Sequence, residues 1–184
     1  MNETTLGAAR ATYYQVNGFA SDGGDSLDWV PLKLWKLTFK IPNTEGRKKA
    51  LRYHDLHHVL TGYATNWTGE AEIGAWELAS GCLQWPAATF LNLSILAIGL
   101  VVSPVAVARA WARGRQTQNL YSEDGVEHLL PENVESTQAR LGLDRVTPVR
   151  ARDVIGMLVV AVPALVLLTA LVLAPFAGIA ALVL

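Results

Sequence analysis

The sequence predicts an all-α protein: a helical domain carrying a metal-binding helix hairpin, plus a C-terminal membrane helix. Three observations lead there. Three of the four histidines lie between residues 54 and 58, in a stretch that ends at a glycine and is followed by a second segment of helical character. Lys33, Lys36 and Lys40 recur at helical spacing with Leu34, Trp35 and Leu37 between them. Two stretches, 86–108 and 154–184, carry no charge and hold most of the apolar surplus of a chain that is 51% hydrophobic.

At 184 residues the chain supports one domain of ordinary size with a small appendage. The divisions expected are a polar N-terminal segment (1–28), a helical domain (29–152) and an anchor (153–184). Fifteen basic residues face sixteen acidic ones, so no basic excess points to nucleic acid. A single cysteine, Cys82, excludes an internal disulfide and fits a reducing compartment. Met1-Asn2-Glu3 lacks the basic start and apolar core of a signal peptide.

In chain order, a short helix is expected over 8–16, where Tyr13 and Tyr14 read as packing residues, and the run SDGGDSLD reads as a loop. A helix with a basic edge is expected over 29–39, its Lys/Trp edge either solvated or resting on anionic lipid. Ile41-Pro42 breaks it, and Asn43 or Thr44 caps the next helix, 46–61. The cluster Arg47, Lys48, Lys49 and Arg52 reads as a solvated face, with attraction of an acidic headgroup as the alternative.

The chemistry concentrates in 52–82. At about 100° per residue, His54, Asp55 and His58 fall at about 0°, 100° and 40°, on one arc of a helix. Gly62 stops that helix, and Gly69-Glu70 opens a second that folds back antiparallel, bringing Glu70 up as a fourth ligand. The predicted metal set is His54, Asp55, His58 and Glu70. Nitrogen and oxygen donors without thiolate suit a divalent metal, zinc first, with iron(II) or manganese as alternatives. The pattern differs from HExxH, because Asp55 is shorter than the glutamate base of a zincin. His57 falls off the ligand arc, at the surface or behind the ligands. Asn66 can hydrogen-bond a ligand carboxylate. Glu77, seven residues after Glu70, is placed to orient a histidine or to hold a proton, and is the candidate catalytic residue. Trp76 and Leu83 read as core, Glu72 as exposed, and Cys82 as a small buried residue.

Length alone reads 86–108 as a membrane span. Against that, Thr89, Asn92, Gly99 and Ser103 share an arc of about 80°. Such a small and polar stripe packs against the chain's own domain or against a partner in the membrane, a second copy of the chain included. The segment is therefore expected to be one buried or half-inserted helix, with Gly99 shaping a narrow channel for an apolar ligand. His128 reads as an ordinary surface histidine. The run 154–184 is long enough for one span, kinked at Pro163 and leaving the membrane near Pro175 and Gly178. Arg150 and Arg152 flank its start, which places the domain on the cytoplasmic side of an inner or cytoplasmic membrane.

Read at greater length, HDLHHVLTGYATNWTGE is H-D-x-x-H, eleven residues, then E, with Trp76-Glu77 following. In this it resembles the coenzyme Q (ubiquinone) biosynthesis protein 4 family. WARGRQTQNLY followed by LLPENVESTQARLGL is similar to that family's C-terminal part, so the resemblance covers roughly 33–143. Arg115 and Tyr121 fall in this second block and are expected to touch substrate; Arg115 carries the planar fork that binds phosphate or carboxylate. The resemblance implies an all-helical fold, a metal bound by the motif, and a role in ubiquinone biosynthesis at a membrane surface. That role is removal of the ring carboxyl of a polyprenylated benzoquinone precursor, or organisation of other quinone-biosynthesis enzymes. The alternatives are a non-catalytic scaffold or isoprenoid-lipid carrier, and a metal-dependent hydrolase.

Overall fold

A computed structural model describes residues 4–34 and 37–183, with the side chains of 31–34, 37, 39 and 175–183 outside that description. The described chain is mostly helical, as an all-α reading requires: seven α-helices and one two-stranded antiparallel sheet. That sheet replaces the helix expected over 29–39. Strand β1 (Trp29–Leu34) pairs with β2 (Leu37–Pro42), Trp29 opposite Pro42 and Leu34 opposite Leu37. Leu37-Thr38-Phe39-Lys40-Ile41 alternates apolar and polar with the period of a strand, and it prevails over the lysine spacing. Trp35 and Lys36 of the expected basic edge lie outside the described residues, and Lys40 is exposed on β2.

Helix α1 (Leu6–Asn17) starts at Thr5, whose hydroxyl accepts from the Ala8 N–H. No boundary at residue 28 separates it from the domain. Leu6 is fully buried and its N–H donates to the Glu132 carbonyl at 2.8 Å, and Tyr14 donates to Asp55 on the next helix at 2.7 Å.

That next helix, α2 (Glu45–Thr61), is capped by Thr44, which accepts from the Arg47 N–H, and ends at Gly62 in the left-handed conformation. Asn66 caps α3 (Trp67–Ser80) by accepting from the Gly69 N–H at 2.9 Å. The turn between them is tight. A Cβ on Gly69 would lie 2.0 Å from the Ala64 carbonyl oxygen, so only glycine lets α3 begin there.

Helix α3 is the centre of the domain. Its Ile73 and Trp76 are fully buried, and the Trp76 indole N–H donates to Thr117 Oγ1 at 2.9 Å. Each buried side chain of this size contributes about 1.5–3 kcal/mol by leaving water. Against α3 pack α4 (Pro86–Val102) and α5 (Pro104–Gly114). The single helix expected over 86–108 is thus two, broken at Ser103 because the residue before proline disfavours the helical conformation. Gly99 lies where three helices meet: a Cβ there would be 2.5 Å from Ala71 Cβ of α3 and 2.7 Å from Val107 Cγ2 of α5. Its smallness closes a packing interface and shapes no channel. Leu83, expected in the core, is 75% exposed in the turn before α4.

After α5 the chain runs as a loop through 116–126 to a short 3₁₀ turn (Glu127–Leu129) and α6 (Val134–Leu141). The loop is tied down by side chains. Asn119 donates to the Gly81 carbonyl, the Trp85 indole donates to the Tyr121 carbonyl, and Tyr53 both donates to the Glu123 carbonyl and accepts from the Gly125 N–H. Helix α7 (Ala151–Val183) runs 33 residues, continuing through Pro163 and Pro175. Its first turns join the core through Asp153, Met157 and Ala161. Ala151–Ala174 is long and apolar enough to cross a membrane.

Candidate metal centre

The site is assembled where α2 and α3 face each other. His54, His58 and Glu70 place one donor atom each within 4.8 Å of one another. His54 Nε2 and His58 Nε2 are 3.2 Å apart, His54 Nε2 lies 3.5 Å from Glu70 Oε2, and His58 Nε2 lies 3.5 Å from Glu70 Oε1. The two Glu70 distances end on different carboxylate oxygens, so the carboxylate straddles the space that the two imidazoles face.

The tautomers follow from the partners. His58 Nδ1 faces the Tyr63 carbonyl at 2.9 Å, and His54 Nδ1 faces Glu77 Oε1 at 2.9 Å. Carbonyl and carboxylate oxygens only accept, so each Nδ1 carries the hydrogen. In the neutral rings, both Nε2 lone pairs then point at the same space. Two lone pairs at 3.2 Å need a proton or a cation between them, and Glu70 supplies the negative charge beside it. These residues fit a divalent metal, with the N–H···O partner on the far side of each histidine that metal-binding histidines use.

Glu77 lies behind the group and is fully buried. It accepts from His54 Nδ1, from His57 Nδ1 at 2.7 Å, from Asn92 Nδ2 and from the Tyr121 hydroxyl at 2.9 Å. Burial alone would raise its carboxyl; the charge and hydrogen bonds of His54 and His57 outweigh that and hold it well below the usual carboxylate range. With four donors on its two oxygens, Glu77 orients His54, and it also lines the cavity that opens on the metal group. Burial likewise pushes Glu70 up, while His54 and His58, in the protonated form that donates from Nε2, bring it down to about 2.

His57 is fully buried rather than at the surface. It donates to Glu77 from Nδ1 and accepts the Leu120 N–H at Nε2, 3.0 Å away. The loop 119–121 is thereby held against the back of the hairpin. Asn66 caps α3 through Oδ1 and so sets the register of Glu70, beside which it lines the cavity.

Asp55 stands outside the metal group. One residue on from His54 it is turned about 100° around α2, and there its Oδ2 accepts from the Tyr14 hydroxyl. It is 6% exposed, and burial raises its carboxyl despite that hydrogen bond. Its place is the contact between α1 and α2. Tyr13 beside it stacks on His58 with ring centroids 5.5 Å apart, closing the far side of the site.

A cavity of about 580 Å³ opens on the metal group. His54, Glu70, Glu77, Asn92 and Tyr121 are on its polar side; Leu51, Ala88, Leu91 and Ile95 form an apolar wall. Arg47 lines it as well, although the basic cluster reads from sequence as a solvated face. Arg47, Ala50, Leu51 and His54 are spaced i, i+3, i+4, i+7, so the signal was present in the sequence. Arg115 does not reach the cavity: it is exposed just past the end of α5. No protein-family model, no curated protein and no solved structure matches the chain.

Proposed function

We propose that the chain is a membrane-associated, metal-binding protein of ubiquinone biosynthesis that acts on a polyprenylated benzoquinone precursor. The observation that carries the reading is the cavity, which sets a two-histidine, one-carboxylate group beside an apolar wall. A polar ring with a long hydrocarbon tail matches that division. The tail follows Leu51, Ala88, Leu91 and Ile95, and each methylene-sized unit removed from water adds about 0.8 kcal/mol. The same donor set serves catalytic zinc and iron(II), and zinc is taken first here on donor type, with iron(II) and manganese as alternatives. A divalent ion so held supplies Lewis-acid chemistry toward a ring oxygen or carboxylate. The chain's own part is to fix that geometry. Glu77 and the Tyr63 carbonyl lock the two imidazoles, Asn92 and Tyr121 lock Glu77, and the wall of α4 excludes water. Helix α7 keeps the domain at the membrane, on the cytoplasmic side by the rule that Arg150 and Arg152 invoke.

A second reading, carrier or scaffold, is favoured by one specific observation. Glu77 accepts four hydrogen bonds, one of them from the Tyr121 hydroxyl, so this carboxylate and phenol are already engaged beside the metal group. The hydrolase reading has no such support, because His128 sits at the surface against Glu123, far in the chain from the metal group.

The test is metal analysis and lipid extraction of gently purified protein, followed by a carboxyl-loss assay with a prenylated hydroxybenzoate. We expect about one divalent ion per chain, absent in His58→Ala, co-purified isoprenoid lipid, and carboxyl loss that stops when the metal is removed. Lipid and metal without turnover would move the assignment to the carrier. Metal content unchanged in His58→Ala would overturn the ligand set.

A further inference from the structure

Arg47 is the basic side chain of the cavity, and the reading above gives it no role. It sits two helical turns before His54 on the same face of α2, with Ala50 and Leu51 between, about 10 Å along the helix axis. Its guanidinium is held in place. Nη1 donates to Asn43 Oδ1 at 2.7 Å, and Asn43 is itself fixed by donating to the Gly24 and Leu27 carbonyls. Asn43 is neutral. Among the described residues no carboxylate lies within ion-pair distance of Arg47, whereas Arg52 on the next turn pairs with Asp25 at 2.6 Å. Arg47 Nε is buried and finds no acceptor among the described residues. A half-buried cation with an idle N–H leaves part of its hydrogen-bonding capacity unused, which a native fold usually avoids. The guanidinium fork pairs most strongly with a planar oxyanion.

We propose that Arg47 anchors a carboxylate of the molecule bound in the cavity, holding it two turns from the His54–His58–Glu70 group. The ligand is then bipolar. An oxyanion sits at Arg47, a second oxygen faces the metal group, and the tail leaves along α4. Arg47 is a binding residue that selects acidic ligands and sets which ring substituent meets the metal group. The identity of the ligand as an aromatic acid rests on the proposed function; the anion preference does not.

The experiment is calorimetric titration of the full chain in nanodiscs with four probes: 4-hydroxybenzoate, its methyl ester, and the farnesylated forms of both. Wild type should bind each acid at least tenfold more tightly than its ester. Arg47→Gln should bring that ratio close to one while leaving metal content and ester binding unchanged. Should Arg47→Gln fold poorly, Asn43→Ala releases the guanidinium without removing its charge, and should lower the ratio by a smaller factor. Farnesyl monophosphate, added as a fifth probe, separates the sources: binding tighter than the farnesylated acid would overturn the carboxylate assignment in favour of phosphate. An acid-to-ester ratio unchanged in Arg47→Gln overturns the inference. A farnesyl group that adds no affinity, with the acid preference intact, overturns the quinone-precursor reading and leaves Arg47 standing. Binding of none of the probes overturns both.

Discussion

Helices α4 and α7 are nearly the same material. Both are charge-free over most of their length and dominated by Leu, Val, Ile and Ala. Their surroundings differ. Helix α4 buries Ala88, Asn92, Leu96 and Gly99 on one face and Ala97 on another, and helps hold Glu77 through Asn92. Helix α7 buries Asp153, Met157 and Ala161 at its start, and only 11% of its most apolar window is buried. Val159, Val162, Val166, Leu167 and Leu171 all face outward. Hydropathy does not separate a helix that the protein covers from one that it leaves exposed. What separates them is a stripe of small and polar residues, which brings other helices close enough to take water's place.

The largest test of this contrast is truncation. Cutting after Val162 removes the outward-facing part of α7 while keeping the three turns that carry Asp153, Met157 and Ala161. The product should leave the integral membrane fraction completely and retain its metal, by carbonate extraction and metal analysis. A cut after Arg152 would also strip core residues and should lower stability as well. If the product cut after Val162 stays in the membrane, α4 is membrane-embedded and the two helices are alike after all.

Next in size is Gly99→Leu. The added side chain meets Ala71 and Val107 at a three-helix junction, and overpacking of this kind costs about 1–3 kcal/mol. Chemical denaturation should show the loss, whereas Val159→Leu on the outer face of α7 should stay within about 0.5 kcal/mol of wild type. Equal effects would dissolve the distinction. The smallest effect belongs to Asn92→Ala, which removes one donor from Glu77. Loss of a group that orients a ligand from behind typically weakens metal binding by about 10–100-fold, measurable by chelator competition. Val166→Ala on α7 should leave metal affinity unchanged.

The hairpin was legible because its signals are local. Thr44, Gly62, Asn66 and Gly69 act on backbone groups within a few residues, and the His54/His58/Glu70 spacing needs only a helix, a turn and a return. Asp55 misled because an arc of about 100° admits a residue that a neighbouring helix can claim, and α1 claims it through Tyr14. His57, Asn92 and the grip of 119–121 on the hairpin depend on contacts between distant segments, which periodicity cannot report. Arg115 is singled out by the WARGRQTQNLY block and by its chemistry, neither of which fixes where the side chain lies, and it is exposed past the end of α5. The strand at Leu37–Ile41 was readable, and the lysine spacing drew attention from its period-two alternation.

Glu77 has a kinetic corollary. Four donors from α2, α4 and the 119–121 loop converge on it, so the imidazole of His54 is aimed once the tertiary structure closes. An arriving ion finds no rotamer search to wait for. Uptake is then governed by how fast the ion sheds its hydration water and passes the cavity mouth, and loading should follow a single exponential whose rate rises with ion concentration.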